Sequence, residues 1–197
     1  KRWEIWNEPD VSVIAGPGNE QEYGCWGDPG DAYFGGGKYA DMLAVVTPQI
    51  KSADPDARVY VGGLLLDCDP ANPPPNKDCA PSKYLEGILR AGGAPFFDGV
   101  SFHAYDFYTG GVGNYHNPNW GSSSSTTGPV GIAKARYLRQ LMAAYNVTGK
   151  ELLNTETALL CFGCEPVNIG DDFEGTKSFY VAQTYAVEPA DEAVVFP

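Results

Sequence analysis

In the stretch Trp3-Glu4-Ile5-Trp6-Asn7-Glu8-Pro9 an aromatic, apolar run ends abruptly in an amide, a carboxylate and a proline. Aromatic and β-branched side chains suit extended backbone, and proline cannot donate to a sheet ladder. The segment therefore reads as a strand over Trp3 to Trp6 with polar groups at its carboxyl end. The same design recurs downstream. Arg58 to Leu66 runs into Asp67, Gly99 to Ala104 leads into Tyr105 and Asp106, Glu151 to Thr155 meets Glu156 and Thr157, and Ala193 to Phe196 begins a fifth strand. In the third of these, alternation puts Val100, Phe102 and Ala104 on one face and Ser101, His103 and Tyr105 on the other.

Between the strands the apolar period lengthens from two to three or four. Tyr39, Leu43, Val46 and Ile50 form one helical stripe, in which Pro48 is expected to cause a kink or an interruption. Ser82 to Ala91 forms a second helix stopped by Gly92-Gly93. Ile132 to Tyr145 forms a third and Thr176 to Val187 a fourth. Strands alternating with helices predict an α/β fold with a parallel sheet.

The composition narrows the partners. The 197 residues include 25 Asp plus Glu against 13 Lys plus Arg, a formal charge of -12, which repels phosphate backbones and anionic lipid. No apolar run reaches the roughly 20 residues that a membrane-spanning helix requires. Both ends stand inside apolar segments, so the chain is expected to be cut from a longer one, with any targeting signal upstream of Lys1.

Five cysteines, Cys25, Cys68, Cys79, Cys161 and Cys164, are an odd count. Cys68 and Cys79 are expected to bridge, because the proline-rich segment between them is a loop that a disulfide would restrain. Cys161-Phe-Gly-Cys164 has redox or half-zinc-site spacing but no second ligand pair, so a structural pair or free thiols is the expectation. This usage favours an oxidising, extracellular setting. The long connection from Phe107 to Gly128 is rich in Gly, Ser and Asn yet holds Tyr108, Tyr115, His116 and Trp120. Rings in so long a loop suggest binding.

In parallel βα architectures functional groups gather at the carboxyl ends of the strands. There stand Asn7 and Glu8, His103 and Tyr105, and Glu156. A lone glutamate at a strand end is usually solvated, and a lone histidine or tyrosine usually packs. Two carboxylates with an amide, a histidine and a tyrosine are the parts needed to protonate a glycosidic oxygen and attack the adjacent carbon.

These residues resemble clan A glycoside hydrolases. In that clan an Asn-Glu pair closes strand four of a (β/α)8 TIM barrel, a His-x-Tyr stands on strand six, and a glutamate ends strand seven. Asn7-Glu8, His103-Ala104-Tyr105 and Glu156 follow that order. The resemblance implies that residues 1–197 are the C-terminal part of one catalytic domain, a partial barrel from strand four to the start of strand eight. It implies a retaining glycosidase acting on a β-linked sugar by double displacement. Glu8 would be the acid/base and Glu156 the nucleophile. Asn7 would bind the hydroxyl beside the reacting carbon, Tyr105 would hold the nucleophile, and His103 would line the subsite; on this reading Tyr108, Tyr115 and Trp120 are the candidate substrate-binding platforms for the apolar face of the sugar. No cofactor or metal is implied. The partners would be a carbohydrate and, for the open sheet edges, the missing barrel strands. A non-catalytic carbohydrate-binding or scaffold protein on the same barrel is the alternative, opposed by the presence of both glutamates. A metal-dependent hydrolase using His103 and His116 is disfavoured, because their spacing matches no ligand motif.

Overall fold

The computed structural model describes residues 1–11, 26–123, 128–162, 171–187 and 194–195. A parallel sheet runs through β1 (Arg2–Asn7), β2 (Arg58–Leu64), β3 (Gly99–Tyr108), β6 (Glu151–Leu160) and β7 (Val194–Val195), each hydrogen-bonded to the next in that order. Helices α1 (Gly36–Ala53), α2 (Tyr84–Arg90), α3 (Val130–Ala144) and α4 (Asp171–Val187) fall between the strands. This is the α/β alternation expected from the sequence. Among the described residues β1 pairs only with β2 and β7 only with β6, so the sheet is open and matches part of a (β/α) barrel.

Two short strands, β4 (Tyr115–Asn117) and β5 (Ser122–Ser123), interrupt the long connection after β3. Strand β6 occupies one edge of β3 from Gly99 to Phe107, whereas β2 leaves the other edge at Phe102. The antiparallel pairing of β4 with Phe107 and Tyr108 therefore uses the edge that β2 has vacated.

The main core lies between one face of the sheet and α1, α2 and α3. Val61, Val100, Phe102, Ala104 and Leu152 of the sheet meet Tyr39, Leu43, Ile88 and Leu138 of the helices there. Val100, Phe102 and Ala104 thus share the face that alternation assigns them. The opposite face is not solvated: Ser101 and His103 are also fully buried. Helix α1 continues unbroken through Pro48. Proline removes one helical hydrogen bond, but Tyr39, Leu43 and Thr47 are buried, and Thr47 Oγ1 donates to Phe96 O at 2.7 Å. Tertiary packing of this kind carries most of a helix's stability in a protein.

Cys68 and Cys79 form the expected disulfide. Cys161 is also disulfide-bonded, while Cys25 and Cys164 lie outside the described residues. Replacing both Cys68 and Cys79 with serine is expected to lower stability by about 2–3 kcal/mol through the freed loop. Chemical denaturation of the double variant reads this directly, and an unchanged midpoint would refute it. Among the described residues no helix is long and apolar enough to cross a membrane.

Candidate functional site

Strand β1 delivers Glu8 through distorted backbone. Trp6 has φ 71° and Glu8 φ 45°, both in the left-handed region that non-glycine residues seldom occupy. Such conformations persist where surrounding bonds over-determine them, commonly at functional sites. Here the Glu8 N–H donates to Gly63 O at 3.0 Å, tying the end of β1 to β2.

Two irregularities then aim side chains at one point. Between Val61 and Leu64, β2 advances three residues while β3 advances two, which inserts an extra residue at Gly62-Gly63. Between Asn154 and Glu156, β6 advances two residues while β3 advances one, from Phe102 to His103. Each extra residue redirects the side chains beyond it, the usual effect of a bulge beside an active site. The second places Glu156 directly beside His103. Without it Thr155 would hold that position.

His103 is the centre of the arrangement. Its ring is fully buried, with Nδ1 2.9 Å from Glu8 Oε1 and Nε2 3.6 Å from Glu156 Oε1. The first distance is a hydrogen bond and the second is just outside that range. Tyr105, two residues on along the same face of β3, donates its hydroxyl to Glu156 Oε2. Burial, reinforced by the Glu156 carboxylate, raises the Tyr105 phenol well above its ordinary value, so it remains a donor. The Glu8 side chain is 19% exposed and that of Glu156 51%. One carboxylate is thus enclosed and the other faces solvent. Glu156 and Tyr105 border a cleft of about 420 Å³ that also includes Asn154, Thr157, Ala158 and Tyr185, a volume within the range of small-molecule sites.

The imidazole stands between the two carboxylates. A neutral ring has one N–H donor and one acceptor nitrogen. Glu8 Oε1 is within hydrogen-bond distance of Nδ1, whereas Nε2 is buried without a hydrogen-bond partner and has Glu156 Oε1 as its neighbouring carboxylate oxygen.

Gly63 makes room for this ring. A Cβ built there would lie 2.1 Å from His103 Nε2, far inside van der Waals contact. We expect Gly63→Ala to displace His103 and to destabilise the protein by about 1–3 kcal/mol, the range for overpacking a tight interior. Thermal melting of the variant provides the measurement, and a wild-type transition would contradict the close approach. Glycine inside a strand pattern is a signal of close backbone approach, and Gly62-Gly63 carried it.

The remaining sequence candidates fall differently. Asn7 is at the end of β1, exposed, in register with Gly63. Trp120 does not join the site. It is 8% exposed, its Nε1 donates to Leu66 O at 2.7 Å, and its ring packs edge-on against Tyr137. An indole buried with its N–H satisfied is an anchor for its loop, not a platform for a ligand. Tyr115, at 2% exposure, is likewise inside, with its hydroxyl on Gln183 Oε1. Tyr108 packs on Phe173, and His116 is half-buried on β4, in register with Phe107. Among the described residues no three His, Cys, Asp or Glu side chains converge as a metal site.

Two buried ionic residues bonded to the backbone around the cluster, Asp10 and Lys134, were assigned no role from the sequence. Asp10 is 1% exposed and Lys134 3%. Burial pushes the Asp10 carboxyl up to about 6, opposed by amide hydrogen bonds from Leu66 and Leu65 and by the Lys134 charge. Burial likewise lowers the Lys134 ammonium to about 8, opposed by Asp10 and other nearby acids. A lysine one helical turn from Val130 and Leu138, on the apolar stripe of α3, was the available signal.

The fold is an α/β parallel scaffold of the kind enzymes use, with ionisable groups gathered after β1 and along β3 and β6. Comparison with protein-family models finds none that matches this chain, and comparison with curated proteins finds no match.

Proposed function

We propose that this protein is a retaining glycoside hydrolase acting on a β-linked sugar. The supporting observation is that Glu8 is hydrogen-bonded to one nitrogen of a buried imidazole and Glu156 Oε1 lies 3.6 Å from the other, with Tyr105 on the outer carboxylate. A retaining reaction needs one carboxylic acid and one carboxylate within a sugar ring's reach of each other. In this reading Glu8 enters protonated, hydrogen-bonded to His103, and gives its proton to the departing glycosidic oxygen. Glu156 attacks the anomeric carbon as that bond breaks, forming a glycosyl ester. Glu8, now ionised, takes a proton from water, and the resulting oxygen nucleophile displaces Glu156. Retention follows from two inversions. Tyr105 keeps Glu156 oriented during attack, and Asn7, on the exposed side of the strand end, is assigned to the neighbouring sugar hydroxyl.

The chain is assigned as the later part of a single (β/α)8 catalytic domain, with the carbohydrate in the cleft beside Glu156. The Cys68–Cys79 disulfide supports an extracellular setting. A screen of chromogenic β-xyloside, β-glucoside, β-mannoside and α-arabinofuranoside with the full-length protein tests the reading, followed by NMR of the first-formed anomer. Hydrolysis with retained configuration is the expected result. Inverted configuration, or carbohydrate binding without hydrolysis, would replace it with a different mechanism or with a binding module.

A further inference from the structure

Beyond their terminal ladder bonds, the ends of β1 and β2 need another means of holding Glu8 against His103 in the middle of β3. Glu8 and Leu66 both adopt positive φ, at 45° and 50°, and the register between β2 and β3 has slipped by a residue. Regular sheet pairing therefore does not extend through this region. We propose that Asp10 and Lys134 are positioning residues that lock the ends of β1 and β2 to the middle of β3 and so fix Glu8 against His103; the proposal rests on the glycosidase reading for its kinetic consequence.

The connections are continuous. Asp10, two residues after Glu8, accepts the Leu65 N–H on Oδ1 at 2.9 Å and the Leu66 N–H on Oδ2 at 2.8 Å. Lys134, from α3, donates from Nζ to Leu65 O at 2.6 Å and to His103 O at 2.8 Å. Leu65 thus has its N–H held by Asp10 and its carbonyl held by Lys134. A path of hydrogen bonds runs from the residue after Pro9, through the end of β2, to the backbone of His103. Trp120 adds a bond to Leu66 O at 2.7 Å, closing the same corner from the long loop.

The choice of charged groups has a geometric basis. A carboxylate can accept two consecutive amides at once, and an ammonium can donate to carbonyls on two different elements. Burying such ions is costly, and well-packed apolar residues often serve stability as well or better. What apolar residues cannot do is set the direction of backbone groups at Leu65 and His103. A misplacement of about 1 Å at a reacting group, even from a distant change, can reduce rate about 100-fold.

The test compares Lys134→Met and Asp10→Asn with wild type in the full-length protein, below the melting transition of each. Asp10→Asn keeps the volume and one acceptor oxygen, so it supplies the folded variant if Lys134→Met does not fold. Aryl glycosides with poor and good leaving groups give the first readout. A displaced Glu8 should reduce kcat/KM about 100-fold on poor leaving groups and far less on activated ones. A merely structural role would scale both by the folded fraction, and an unchanged ratio between them would overturn the proposal. The second readout is the ¹⁵N chemical shift of His103 Nδ1, which is expected to move toward that of an unbonded ring in either variant. A wild-type shift in both would overturn the proposal whatever the enzyme's activity. Failure of wild type to hydrolyse any glycoside would instead refute the glycosidase reading, leaving the NMR comparison to decide the positioning role.

Discussion

Replacing Glu156 with alanine in the full-length protein is expected to reduce kcat by on the order of 10⁶-fold, the scale on which loss of a covalent nucleophile disables other hydrolases. The fold should survive. The Glu156 side chain is about half exposed, at 51%, and its polar contacts are to Tyr105 and His103, so stability should change by no more than about 1 kcal/mol. The substitution also opens space at the face of the cleft, where a small anion such as azide can attack the anomeric carbon in place of the carboxylate. With an activated aryl glycoside, azide should restore cleavage and give a glycosyl azide of inverted configuration. That product identifies which glutamate bonds to carbon, a distinction that simple loss of activity does not make. Turnover equal to wild type would remove Glu156 from the mechanism.

Glu8→Gln should divide substrates by their need for a proton. General acid catalysis contributes about 10²–10⁴-fold, so hydrolysis of glycosides with poor leaving groups should fall by that factor. Activated aryl glycosides, which depart without assistance, should form the glycosyl ester at close to the wild-type rate and then stall, because no base remains to activate water. A burst of released phenol followed by slow turnover is the expected time course, and azide should accelerate the slow phase with retained configuration. Glutamine can still occupy the 2.9 Å contact with His103 Nδ1, so the effect reads proton transfer more than packing. Equal losses on both substrate classes would argue against Glu8 as the acid. The two variants make opposite stereochemical predictions for azide, and together they fix the roles.

The parts of the fold that were legible in the sequence are those set by local chemistry. Strand β1 follows from Trp3, Ile5 and Trp6 ahead of Asn7-Glu8-Pro9, and the faces of β3 follow from alternation, with Val100, Phe102 and Ala104 in the main core. Four helices and the parallel order of the strands follow from the change of period between segments. Glu8, His103, Tyr105 and Glu156 were visible as candidates because the strands expected from the sequence end beside them, where the topology of such folds places chemistry; β3 and β6 in fact run on to Tyr108 and Leu160, continuing their pairing past the site.

The tertiary structure decided what those residues touch. No local signal says that β6 gains a residue against β3 between Asn154 and Glu156, yet that offset puts a carboxylate beside His103. Register between parallel strands is fixed by packing of both faces and by the crossover helices, contacts remote in sequence. Trp120 is the converse case. Its polar, glycine-rich surroundings suggested an exposed ring, but the loop folds back through β4 and β5 and buries the indole on Leu66 O. Burial is a property of the assembled chain, since it depends on which surfaces meet. Lys134 shows the same limit: a charge on an apolar helical stripe looks like an error until α3 brings it beneath the carbonyls of Leu65 and His103. The sequence by itself determined the periodic elements and the chemical groups at their ends, because spacing and side-chain type act locally. Only the tertiary structure decided register, burial and the pairing of Glu8 and Glu156 across one imidazole, because these arise from contacts between segments up to about 150 residues apart, whose geometry no local pattern encodes.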